Sequence, residues 1–110
     1  MQLPNCDKAV VEIEKLRNYS LNPNHPVGKH KARVFKAALG ITLKEAQWLR
    51  DRALEIAVRN DAKSATASVF GEKYVIDCVI KYEEKSAVVR FCWIIEFDTD
   101  FPRLTSCYVK

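Results

Sequence analysis

The amino-acid sequence predicts an α+β domain, with about three N-terminal helices packed on one face of a three- to four-stranded antiparallel meander. Three observations predict it. Apolar residues recur at helical spacing up to about residue 59 and alternate from about residue 73 onward. Proline, glycine and polar clusters punctuate the chain at short intervals. The strand-like segments also follow one another through short loops, an order that favours antiparallel pairing and leaves the helices to cover one face.

Each element has its own justification. Leu3-Pro4-Asn5 is an extended lead-in, and Ala9-Val10-Val11 fits either a short strand or a helix start. The first helix is expected over about 12–20, where Ile13, Leu16 and Tyr19 share a face. Ser20–Gly28 breaks the chain, because Pro23, Pro26 and Gly28 disfavour continuation. The second helix covers about 29–39, with Val34, Phe35, Ala38 and Leu39 as its apolar stripe and Gly40 placed for a left-handed cap. Thr42 and Glu45 form a capping box that starts a third helix over about 43–59. Ala46, Leu49, Ala53, Ile56 and Ala57 form its buried stripe, and Asn60-Asp61 stops it.

Strands then follow. Residues 65–70 fit either an edge strand or a loop. Over 73–82, Tyr74, Ile76, Cys78 and Ile80 alternate with Val75, Asp77 and Val79. Glu83-Glu84-Lys85 makes a tight hairpin. Over 86–97, Val89, Phe91, Trp93 and Ile95 lie opposite Val88, Arg90, Cys92 and Ile94. Asp98–Pro102 turns the chain into a last strand over 103–109. A charged Arg90 in so apolar a strand needs a partner or a function, and Asp77 or Glu96 would supply the partner.

A chain of 110 residues fits one domain, residues 1–110. Eleven aromatics (five Phe, four Tyr, two Trp) supply a core that needs neither metal nor disulfide. Trp48 and Trp93 are expected in that core rather than on a base-stacking surface. No run approaches the roughly 20 apolar residues of a bilayer span, and the charged N-terminal stretch MQLPNCDKAVVEIEK is unlike a signal peptide. A bacterial, cytoplasmic protein that does not enter the membrane is the expectation. Cys6, Cys78, Cys92 and Cys107 form no C-x-x-C pair and stand at no zinc-like spacing from a histidine. They are expected as free thiols, three of them on three different strands, and no metal or other cofactor is expected.

The charge is uneven. Residues 1–63 hold twelve Lys/Arg against seven Asp/Glu, whereas residues 64–110 hold six against seven. The densest cluster is Lys29, His30, Lys31, Arg33 and Lys36, with no acid among them. Such a cluster attracts phosphate groups or a small acidic partner protein, although a solvated helix face has the same composition.

Gly-rich phosphate loops, nucleophile elbows and H-E-x-x-H motifs are absent from the sequence. The remaining chemistry-bearing residues form a set suited to phosphate chemistry. His30 is the candidate general acid or base, since an imidazole can give or take a proton near neutral pH. Lys31 and Arg33 stand at a helix start, where free N–H groups also favour anions. Arg90 and Arg103 are candidate phosphate clamps. Ser106 and Tyr108 share a face of the last strand and are candidate hydrogen-bond donors.

Two resemblances add to this reading. Leu3-Pro4-Asn5, Lys15-Leu16-x-x-Tyr19-x-Leu21-Asn22-x-x-His25-Pro26-x-Gly28-x-His30-Lys31-Ala32-x-Val34-Phe35, Leu39-Gly40 and Pro102-Arg103-Leu104 resemble a bacterial family of domains of unknown function. Its members occur as short stand-alone proteins and attached to toxin-like or phage-associated chains. Lys15–Tyr19, the Gly-x-x-Lys-Ala-x-x-Phe pattern over Gly28–Phe35 and the closing strand Pro102–Tyr108 are also similar to metal-independent ribonucleases of the barnase–EndoU–colicin–RelE type. That pattern has Thr where this chain has Ser106. The second resemblance implies an RNA-directed nuclease or toxin-like domain with His30, Arg90, Ser106 and Tyr108 in its site, and an antitoxin-like acidic protein as a partner. The alternative is a non-catalytic interaction domain, or a degenerate nuclease fold, that binds an acidic protein through Lys29–Lys36. These readings part on geometry, because catalysis needs His30, Arg90 and Ser106 or Tyr108 on one open cleft.

Overall fold

The switch in periodicity after residue 60 separates helices from sheet in space as well as along the chain. A computed structural model describes all residues, Met1–Lys110. Helix α1 begins as a single turn over Ile13–Lys15 and widens into a π-turn over Leu16–Ser20. Helix α2 spans Lys29–Leu39 and α3 spans Ala46–Arg59. The strands are β1 (Lys63–Ser64), β2 (Gly71–Tyr82), β3 (Lys85–Glu96) and β4 (Arg103–Val109). They form one antiparallel sheet in the order β1-β2-β3-β4. The fold is therefore α+β, as its apolar periodicity predicts.

Local chemistry fixes the boundaries. Gly40 ends α2 at φ 72°, its N–H reaching the Lys36 carbonyl at 2.9 Å. The Glu45 carboxylate accepts from the Thr42 N–H at 2.8 Å, and the Thr42 hydroxyl accepts from the Lys44 N–H at 3.4 Å. This capping box opens the turn Leu43–Glu45 that leads into α3. Between β2 and β3 the chain reverses in two residues, with Glu83 at φ 55°.

The first strand departs from expectation. It lies at Lys63–Ser64, paired with Val75 and Tyr74; the Ala65 N–H still donates to the Lys73 carbonyl at 2.8 Å, and residues 66–69 then leave the sheet. Ser68 draws them away. Its hydroxyl accepts from the Phe70 N–H at 3.1 Å and its own N–H donates to the Gly71 carbonyl at 3.0 Å, which closes a turn where a ladder would have run. Val69 and Phe70, the residues that made the segment look like a strand, are 85% and 71% exposed. Residues 9–11 are extended rather than helical. Val10 bridges β4 in parallel at Arg103, with its N–H on the Pro102 carbonyl and its carbonyl on the Leu104 N–H.

All three helices cover one face of the sheet. Phe35 and Leu39 of α2 and Leu49 and Ile56 of α3 pack with Ile76, Ile80, Val89, Phe91 and Trp93 in one core. Trp48 lies at its margin, edge-on to Tyr82 at 4.7 Å between ring centroids. A bulge between β3 and β4 sets which β4 residues face inward. Trp93 pairs with Leu104 but Cys92 pairs with Ser106, so Thr105 is the extra residue, and its hydroxyl donates to the Cys92 carbonyl at 3.1 Å. Leu104 and Cys107 consequently both enter the core, while Ser106 and Tyr108 stand on the outer face with Cys92 and Arg90.

The four cysteines are free. Burial pushes the Cys107 thiol up to about 12, partly offset by the Ser20 hydroxyl beside it, so it behaves as a small apolar side chain. No helix is long and apolar enough to cross a membrane.

Candidate functional site between the second helix and the edge strand

The start of α2 is held by the loop before it. Gly28 caps the helix without a side chain, and His25 supplies what is missing. Its Nδ1 accepts from the N–H groups of Val27 and Gly28 at 3.0 and 2.9 Å, so the ring proton sits on Nε2. The His25 ring meets the Tyr19 ring edge-on at 4.8 Å. Gly28 lies so close to the π-turn that a Cβ there would stand 2.2 Å from the Tyr19 carbonyl oxygen. Tyr19 and the first turn of α2 are thereby fixed against each other.

That fixation places Lys31. Its ammonium lies 4.6 Å from the centroid of the Tyr19 ring and 3.3 Å from the Tyr19 hydroxyl. It also lies 5.3 Å from the centroid of Tyr108, which reaches it from the edge strand β4. Cation–π attraction to both rings holds this half-buried cation without a carboxylate partner. His30, Lys31, Val34, Tyr108 and Val109 line an open depression of about 250 Å³.

Helical spacing divides α2 into three faces. Ala32, Phe35 and Leu39 are buried. His30, Lys31 and Val34 face the depression. Lys29, Arg33 and Lys36 line a separate groove on the other flank. The basic cluster thus serves two surfaces rather than one.

Arg90 stands directly opposite Tyr108 on one side and Asp77 on the other. It donates from Nε to Asp77 Oδ1 at 2.8 Å and from Nη2 to Asp77 Oδ2 at 2.9 Å. Lys110 adds a third contact to the same carboxylate at 3.2 Å. The Asp77 carboxylate beside it raises the Arg90 pKa further, with the Tyr108 hydroxyl contributing. Arg90 is therefore a fixed cation next to Tyr108, already engaged by Asp77.

The structure brings His30, Lys31 and Tyr108 together, whereas Arg90, the neighbour of Tyr108 on the outer face of the sheet, does not line the depression. It does not bring in Ser106, which pairs with Cys92 farther along β4 and does not line the depression. Arg103 is at the opposite end of β4, bound to Glu96 at 3.1 Å and Glu12 at 3.7 Å, so it shares no phosphate with Arg90. In the sequence Tyr19 is legible as an apolar helix position and a motif residue but not as a site residue, and neither the capping role of His25 nor the place of Lys44 beside the α2 cations has a signal there. No three His, Cys, Asp or Glu side chains come together in a group able to hold a metal ion.

One protein family, described as "Domain of unknown function (DUF6883)", matches residues 2–110. The chain belongs to this family. No curated protein and no solved structure matches the chain. The matched residues of the DUF6883 domain include the His25–Gly28 loop, all of α2 and the Asp77–Arg90–Tyr108 row.

In this DUF6883 domain the row responds to acid. Hydrogen bonds from Arg90 hold the Asp77 carboxyl at about 2, with Lys110 helping and burial opposing, against an ordinary value of 3.8. A lowered folded value means that the stabilisation is complete above about pH 4 and is lost as pH falls through about 2. Because Asp77 is one-third exposed, solvent screening limits the effect to about 1 kcal/mol. Asp77→Asn is expected to be less stable than the parent by that amount at pH 6, with the gap narrowing below about pH 4 and closing only below about pH 2, measured by urea unfolding across that range.

Proposed function

We propose that the domain binds RNA at the His30–Lys31–Tyr108 depression and cleaves it without a metal ion. The observation that carries this reading is the Lys31 ammonium held between two tyrosine rings, with no counter-ion, next to His30 in an open depression. A cation without a carboxylate partner is available to a phosphate, and flanking rings suit an RNA base or ribose. The toxin-like ribonuclease resemblance of the Gly28–Phe35 helix and the closing strand points the same way.

The chemistry follows from RNA itself. His30 takes the proton of a 2′-hydroxyl, and the freed oxygen attacks the adjacent phosphorus. Lys31 stabilises the added negative charge on the phosphoryl oxygens. The P–O5′ bond breaks, and the leaving oxygen takes a proton from the Tyr108 hydroxyl or from water. The products are a 2′,3′-cyclic phosphate and a 5′-hydroxyl, so atoms and charge balance. Arg90, anchored by Asp77, acts as a positioning residue for Tyr108 and adds positive potential. The free cysteines agree with a reducing compartment such as the bacterial cytoplasm.

The test is cleavage of mixed-sequence RNA in EDTA by the purified chain. The parent is expected to leave cyclic-phosphate ends, His30→Ala to be slower by about 10²-fold, and Arg90→Ala by about tenfold with its loss mainly in kcat. Absence of cleavage by folded protein at high concentration overturns the proposal and favours a binding-only domain. Arg90's engagement by Asp77 is the observation that speaks for that second reading.

A further inference from the structure

The flank of α2 turned away from the depression carries a second feature. A groove of about 410 Å³ runs between α2 and the Thr42–Lys44 turn. Its cations are Lys29, Arg33, Lys36 and Lys44, all exposed. None of the four takes part in any of the chain's ion pairs, which are made by Lys8, Arg50, Arg52, Arg90, Arg103 and Lys110. The groove is lined by no carboxylate. Glu45, the nearest acid in sequence, is folded back onto the Thr42 N–H.

Between the cations the surface is apolar. Leu21, Pro23, Ala32 and Leu43 line it, and Leu43 is 41% exposed although it follows directly on the helix cap. A purely solvated charged flank has no reason to keep a leucine and a proline open in a concavity between four like charges. Like charges at that spacing raise the local potential and are relieved when an anionic partner fills the groove.

From this combination we infer that the groove docks an acidic amphipathic segment of a partner protein, most simply a helix. Aliphatic side chains of that segment enter between the exposed Pro23 and Leu43, over the buried Leu21 and Ala32, and flanking Asp and Glu meet Lys29, Arg33, Lys36 and Lys44. The charge complementarity selects an anion, and the floor selects the class of anion. A single-stranded nucleic acid wants aromatic rings for its bases, and this groove has none. A helix laid in a groove wants aliphatic pockets at one-turn spacing with complementary charge along the rim. The inference stands whether or not the opposite flank cleaves RNA, because the two flanks share α2 but no lining residue.

The experiment uses the whole chain and three fluorescent probes. The first is a helical peptide of about 14 residues with leucines at positions i, i+4 and i+7 and Asp or Glu on both sides. The second replaces the leucines with serine, and the third is a single-stranded RNA of similar charge. The leucine peptide is expected to bind at least about tenfold more tightly than the serine peptide, more weakly as salt rises. Arg33→Glu with Lys36→Glu is expected to weaken it at least about tenfold, while Lys31→Ala leaves it unchanged. Both replaced residues are exposed, and a circular dichroism spectrum matching that of the parent is the check that the variant folds. Equal binding of leucine and serine peptides overturns the inference, as does no peptide binding at all. RNA binding that is lost in the Arg33/Lys36 variant, with the leucine peptide inert, also overturns it and assigns the groove to nucleic acid.

Discussion

Lys31→Ala is expected to slow RNA cleavage by roughly 10²- to 10³-fold, the usual cost of removing one group that stabilises charge in the transition state. The fold should survive. Lys31 is half-buried, and Ala32 and Phe35 of the same helix carry its packing on the core. What the variant loses from the folded state is two cation–π contacts and the hydrogen bond to the Tyr19 hydroxyl, about 1–2 kcal/mol in all. Lys31→Arg keeps the charge and the affinity for aromatic rings, so it should recover a large part of the rate. Single-turnover cleavage at saturating protein separates the chemical step from binding. A rate within a few fold of the parent for Lys31→Ala would remove Lys31 from the reaction.

Gly28→Ala is expected to destabilise the domain by about 3 kcal/mol, a value typical of a forced backbone clash. The sign is informative. Gly28 has φ −63° and ψ −20°, an ordinary helical conformation, and local propensity alone would make alanine the better residue there by up to about 1 kcal/mol. Packing reverses this. The added Cβ meets the Tyr19 carbonyl oxygen at 2.2 Å and its carbon at 2.8 Å, and these are backbone atoms with nowhere to rotate. To relieve the clash, α2 must move away from the π-turn. That movement opens the Lys31–Tyr19 contact and breaks the His25 cap, so cleavage should fall with stability. Urea unfolding of the variant decides between the two signs.

Much of the fold was legible because it is written in short-range chemistry. Thr42 and Glu45 made the capping box, Gly40 took the left-handed cap, and Tyr82–Lys85 turned tightly where the acids stood. Residues 65–70 stay ambiguous in the sequence because Val69 and Phe70 have strand composition, while the turn that takes them out of the ladder rests on one serine hydroxyl. The bulge at Thr105 was also invisible in the sequence, and it is what sets Tyr108 on the face of Arg90.

The site was legible in its residue types and only partly in its geometry. His30 and Tyr108 share a depression, and Arg90 has the Asp77 partner that an ion in an apolar strand requires. Ser106 and Arg103 fall elsewhere because one pairs with Cys92, a residue pair along the strand from Tyr108 and outside the depression, and the other is claimed by two glutamates. Tyr19 could not be foreseen as a site residue. Its place depends on a π-turn, a histidine cap and a glycine contact that act together only in three dimensions.

The most direct measurement uses one RNA oligonucleotide in two forms, all-ribose and with a single 2′-deoxy nucleotide at the mapped cleavage position, incubated with the parent chain in EDTA. The expected result is cleavage of the all-ribose strand to a cyclic-phosphate end and no cleavage at the deoxy position, with both strands bound equally well. Cleavage at the deoxy position, or a requirement for added metal, would contradict nucleophilic attack by the 2′-hydroxyl and with it the assignment of the His30–Lys31–Tyr108 depression as the site of that reaction.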